Sequence, residues 1–263
     1  MLSLFNGRTL RTALAVAAFS LSALPAAQAH DFWVNAAEPV GGIVKAEIGY
    51  GHDFPKAEPI PEDRVHLFDA LQLVTPKGAM KLDQVGENYA FQGRADLQRG
   101  SYLVLGTYFP TFWSKGEGGW SQTNRLQRPD ATYCEEVLMF AKTVLNVDGG
   151  RDDAFISKPA GQGLEIVPLV NPAKVRTGEK FPVQVFYKGK PAKTVKVEAV
   201  FAGFSDKEYK AFQGRTDLEG KIDIIPLKAG QWFAEVEYSE PHPDKTKADD
   251  LIYLSTLSFR IDD

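Results

Sequence analysis

From Asp31 onwards the chain alternates apolar and polar residues in short runs: Asp31–Val34, Ile43–Tyr50, Arg64–Val74, Met80–Val85, Tyr89–Ala95 and Ser101–Phe109. A period of two sends successive side chains to opposite faces of a strand. Gly41-Gly42, Pro76-Lys77-Gly78, Gly86-Glu87-Asn88 and Arg99-Gly100 separate the runs. Such turn residues between alternating runs predict antiparallel strands. Tyr108 to Trp120 follows as an irregular aromatic stretch. One segment then breaks the period of two. Tyr133, Val137, Phe140 and Val144 recur at helical spacing, behind Pro129-Asp130 and ahead of Val147-Asp148-Gly149-Gly150. This predicts one helix over Asp130–Asn146, with Glu135 and Glu136 near the positive end of its dipole.

A polar, glycine-containing link from Asp148 to Gly163 precedes a second series of strands. Leu164–Leu169, Phe181–Tyr187, Val195–Phe201, Gln231–Tyr238 and Ile252–Ile261 are its clearest members, and the turn Thr216–Lys221 joins two more. About seven short strands in about 100 residues is the pattern of an immunoglobulin-like sandwich. The expected fold class is therefore all-β: two β-sandwich (immunoglobulin-like) domains with one main helix in the first. The expected divisions are a leader at 1–29, an N-terminal β-rich domain at 30–160 and a C-terminal sandwich at 161–263. No short-period repeat or low-complexity tract is visible.

The leader is read from Arg8 and Arg11, an uncharged run from Thr12 to Ala29, and the closing Ala27-Gln28-Ala29. That order is a basic region, an apolar region and an A-x-A cleavage site, so export to the bacterial periplasm is expected. Pro25 and the small residues leave too short an apolar run for a membrane span of about 20 residues, so no span is expected after cleavage. With 30 Lys+Arg against 34 Asp+Glu, the net charge of −4 argues against a nucleic-acid partner. The single cysteine, Cys134, excludes an intrachain disulfide or a cysteine-rich metal site. G-x-S-x-G, P-loop and H-E-x-x-H motifs are missing, and no catalytic residues are assigned. An enzyme is not expected.

Cleavage after Ala29 would make His30 the first residue of the mature chain. Its free α-amine and ring Nδ1 could then close a chelate on one metal ion, a pair of donors that processing creates. Nitrogen-rich sites of this type suit Cu(II) and Ni(II). Only three other histidines are available. His52 leaves a strand within Tyr50-Gly51-His52-Asp53-Phe54-Pro55, and His242 sits between two prolines after another strand. His30, His52 and His242 are the expected metal ligands. His66 reads as a mid-strand residue with no such role. Two acid-rich loops could add acceptors for the imidazoles if they converge on His30: Asp53, Glu58, Glu62 and Asp63 after His52, and Glu240, Asp244, Asp249 and Asp250 around His242.

Several segments together resemble one family. They are Ala29-His30-Asp31-Phe32-Trp33-Val34, Tyr50 to Pro55, Leu164 to Leu169, Thr216 to Lys221 and Tyr253 to Phe259. The chain is similar to the periplasmic component associated with bacterial cobalt and nickel uptake, catalogued mainly as a domain of unknown function. The resemblance implies a transition-metal-binding protein with His30 and His52 as ligands. Its cargo would be nickel or cobalt, with copper as the alternative, and a membrane metal transporter would be its partner. Relatives often carry a second cysteine in the C-terminal loop, where this chain has Ala248. That departure implies that Cys134 is unpaired. Two other function classes share the sequence features. One is a terminal-His copper protein, either a small carrier or a monooxygenase-like oxidase. The oxidase would need a flat substrate face such as Trp113 and Trp120, a stretch that reads rather as a hydrophobic lid or a partner interface. A metal-free β-sandwich scaffold would rest on the fold alone.

Overall fold

The computed structural model describes residues 30–204 and 209–263, so the leader expected at 1–29 lies outside the described residues. The first half forms β1 (Asp31–Val40), β2 (Ile43–Gly51), β3 (Gln72–Thr75), β4 (Gly78–Lys81), β5 (Asp83–Gln84), β6 (Ala90–Arg94), β7 (Gly100–Gly116), β8 (Gly119–Ser121) and β9 (Tyr133–Val147). The second half forms β10 (Leu164–Pro168), β11 (Phe181–Tyr187), β12 (Lys190–Pro191), β13 (Lys196–Phe201), β14 (Phe212–Arg215), β15 (Lys221–Ile224), β16 (Gly230–Pro241) and β17 (Asp250–Ile261). Two short 3-10 turns, Glu62–Leu67 and Pro172–Lys174, are the helical elements among the described residues.

The strands make three open sheets. A long sheet runs β14-β13-β16-β17-β9-β7-β3-β4, with β8 also paired to β7. A first small sheet runs β1-β2-β6-β5, and a second runs β10-β11-β12 with β15 on β11. Pairing is antiparallel except between β9 and β17, which run parallel at the centre of the long sheet. Strands from both halves of the chain therefore share one sheet, joined at that parallel pair.

The segment expected to be a helix, Asp130–Asn146, is corrected to the central strand β9. The reason lies in its two buried faces. Val137, Met139 and Ala141 enter the core shared with the first small sheet, beside Val34, Ile48 and Val104. Leu138 and Phe140 face the core shared with the second small sheet, beside Ile166, Val183 and Trp232. The small sheets thus cover opposite faces of the long one. A strand buried on both sides reads as a near-continuous apolar run and loses its period of two. Within that run, Val137 and Phe140 lie on opposite faces, so their spacing of three imitates a helical stripe. Full burial of each such side chain contributes about 1.5–3 kcal/mol, which overrides local propensity. On the same face as Phe140, the buried Lys142 meets Glu165 of β10 at 3.0 Å and donates to the Ile166 carbonyl at 3.3 Å. Burial pulls the lysine down from its ordinary pKa while Glu165 opposes the shift.

Two further expectations change. The Arg64–Val74 run is a 3-10 turn followed by β3, so His66 is an exposed turn residue rather than a mid-strand one. The aromatic stretch from Tyr108 is also regular. β7 continues through a bulge between Tyr108 and Thr111 to Gly116 and turns into β8.

Candidate metal centre

The site begins with register. β1 and β2 pair antiparallel with Asp31 opposite Gly51 and Phe32 opposite Tyr50. One step beyond the ladder, His30 falls opposite His52. Directly opposed residues hold their Cβ atoms about 4.5–5.5 Å apart, and the two imidazole centroids lie 4.1 Å apart. Trp33 locks the same register, since its ring lies over Gly49 and a Cβ there would sit 1.9 Å from it.

Glu58 arrives by a turn in the loop after β2. Lys56 N–H donates to the Asp53 carbonyl at 2.6 Å, and its ammonium meets the Asp53 carboxylate at 3.0 Å. Phe54 anchors the turn against Trp33 and Phe233. The chain then doubles back so that Glu58 N–H donates to the Tyr50 carbonyl at 2.7 Å. Gly51 permits the bend with φ +152°, and a Cβ there would crowd Glu58 at 3.1 Å.

His30, His52 and Glu58 thereby each bring a ligand atom within 4.8 Å of the other two. His30 Nε2 lies 3.2 Å from Glu58 Oε2. The His30 ring stacks on Tyr50 at 4.5 Å and 8°. Burial first, and then the charge of His52, pull His30 below the ordinary imidazole pKa, while Glu58 pulls it up. A ring held neutral keeps a lone pair for a metal. Burial next to Tyr108 pushes the Tyr50 hydroxyl up to about 12. Two imidazoles with a carboxylate beside them, as a further ligand or as the acceptor that orients a ring, suit a divalent transition metal.

His242 is not brought to this cluster. Its Nε2 lies 3.0 Å from Glu136 Oε2, and its Nδ1 takes the Asp244 N–H at 3.0 Å. The ring is buried, beside Phe112. The proline-flanked loop that suggested a stiff ligand instead closes on its own histidine. Of the acidic residues, Glu58 alone reaches His30. Asp53 binds Lys56, Glu240 binds Lys188, Asp249 binds Arg125 and Asp250 accepts from Tyr133.

A cavity of about 220 Å³ opens beside His30, walled by Arg64, Trp113, Trp120, Glu135 and Met139. Sequence reasoning placed Trp113 and Trp120 together but had no signal for Arg64 or Glu135. Those two converge only through the 3-10 turn and the true strand character of β9. Cys134 is a free, buried thiol, 3.2 Å from Ser114 Oγ. It packs with Ala131 and Ala248.

The family model for the domain of unknown function DUF4198 matches residues 27–240. The chain belongs to that family. The DUF4198 match takes in β1, β2 and the loop carrying His52 and Glu58, so the three clustered residues all lie within the family's domain. No curated protein matches the chain.

Proposed function

We propose that this DUF4198 protein is a periplasmic transition-metal carrier for nickel or cobalt uptake, exported by a leader cleaved after Ala29. The observation that carries this reading is the convergence of His30, His52 and Glu58 within 4.8 Å. In the mature chain the His30 amine and Nδ1 chelate the ion and the His52 ring supplies a third nitrogen. Glu58 accepts a hydrogen bond from His30 Nε2, which turns Nδ1 toward the amine and raises the ligand's basicity. The ion is cargo, taken up and passed to a membrane transporter without bond-making chemistry. The two core-sharing pairs of sheets support a finer reading as two immunoglobulin-like sandwich units.

The copper-oxidase reading asks for a flat aromatic face, and Trp113 and Trp120 instead line a cavity. Calorimetric titration of the mature chain with Ni(II), Co(II), Cu(II) and Zn(II), followed by an ascorbate-driven peroxide assay, separates the readings. Tight binding without peroxide turnover is expected. Turnover would favour an oxidase, and no binding of any ion would overturn the carrier.

A further inference from the structure

We propose that the cavity beside His30 is a subsite for a small, planar monocarboxylate chelator that is bound together with the metal ion. This deepens the carrier reading and rests on it. Three protein donors leave coordination positions open on a nickel or cobalt ion, which an incoming chelator can fill. The cavity starts at His30 itself, so a ligand inside it lies next to the metal.

The walls specify the ligand's chemistry. Trp113, Trp120 and Tyr108 offer aromatic faces, and Val137, Met139 and Leu254 add apolar surface. Stacked or edge-on aromatic contact favours a planar body. Arg64 supplies the charge. Its guanidinium sits 5.4 Å above the Trp113 ring, and its charge counteracts the upward push of burial on the Tyr50 hydroxyl. Among the described residues it has no carboxylate partner, whereas the guanidinium fork is suited to one. Glu135, directly across the β7–β9 ladder from Trp113, lines the same cavity and limits how much negative charge the ligand can carry. Burial pushes its carboxyl up to about 7, with the nearby Tyr133 hydroxyl opposing and the charges of Glu237 and Asp250 adding. A second carboxylate on the ligand would add to the acidic charge there, whereas a single carboxylate can be taken by Arg64. At about 220 Å³ the cavity is below the roughly 300–1,000 Å³ of drug-sized sites, so the occupant is small.

The test is co-retention. Mature protein starting at His30 is loaded with Ni(II) and picolinate, passed through gel filtration, and assayed for both. Nicotinate, which has the same ring and carboxylate but cannot chelate, replaces picolinate in a parallel arm. One picolinate per retained nickel is expected, with no nicotinate retained. Arg64→Met and Trp113→Ala should each bring the picolinate-to-nickel ratio down at least tenfold. His66→Ala, exposed on the same 3-10 turn, should keep it at one. Nickel retained without picolinate would overturn the subsite and leave the carrier reading standing. An unchanged ratio in both Arg64→Met and Trp113→Ala, or equal retention of nicotinate, would also overturn it. Retention of neither nickel nor picolinate would overturn both readings.

Discussion

His30 meets Glu58 at 3.2 Å and His242 meets Glu136 at 3.0 Å, yet the two imidazole–carboxylate pairs are set in opposite surroundings. His242 is buried, and both of its ring nitrogens are engaged, one by Glu136 and the other by its own loop at Asp244. His30 has its Nε2 on Glu58, a second imidazole 4.1 Å away and a cavity at its side. The first arrangement satisfies a buried ring and fixes a loop. The second orients a ring while leaving donor capacity for something else. Proximity to a carboxylate therefore does not single out a candidate ligand; an uncommitted nitrogen beside other donors does.

The largest effect that separates the two pairs is on metal affinity. His52→Ala removes a proposed ligand and should weaken Ni(II) binding by more than the roughly 10–100-fold typical of losing an outer hydrogen-bond partner. His242→Leu should change it less than twofold. Calorimetry of the two variants side by side checks this, and a reversed ranking would break the comparison. Glu58→Gln comes next. It keeps the shape but weakens the acceptor for His30 Nε2, and affinity should fall by about 10–100-fold. An unchanged affinity would remove Glu58 from the site.

Stability should show the opposite ranking. His242→Leu leaves Glu136 and the Asp244 backbone without their partner and should cost about 1–3 kcal/mol in denaturant unfolding. His52→Ala should stay within about 0.5 kcal/mol, as for a surface substitution. The smallest effect concerns Glu135, whose folded pKa of about 7 lies above its ordinary value of 4.5. A carboxyl raised in this way stabilises fully below its unfolded value, and the contribution is lost as pH rises through about 7. The melting-temperature advantage of Glu135→Gln over the unmodified chain should thus be absent near pH 4 and grow between about pH 5 and about pH 8. A constant difference across that range would mean that Glu135 is not held high.

The antiparallel strands were legible where one face of the strand meets a core and the turns are marked by glycine. Phe181–Tyr187 is the clearest case, occurring with the expected ends. The turn Thr216–Lys221 likewise joins β14 to β15 as its residues suggest. β9 was not legible, because burial on both faces erases the alternation that would have named it. His30 and His52 could be singled out from their places at a strand start and a strand end, and the β1–β2 register makes them neighbours. Glu58 was one acid among several, since only the closed turn from Asp53 to Lys56 decides which of them folds back. That His242 lies apart from the cluster was hidden for a similar reason. Its flanking prolines advertise stiffness without saying whether the stiff loop points at a partner or at itself.

In the proposed carrier, processing creates a metal site on the His30 amine. Two versions of the chain, one starting at His30 and one carrying a single extra residue before it, should be titrated with Ni(II) at about pH 7.5. Proton release on binding and a much weaker affinity for the extended chain are expected, because the α-amine, with a reference pKa of about 7.7–8.0, is no longer available as a donor at that place. Equal affinity for the two chains would contradict that site.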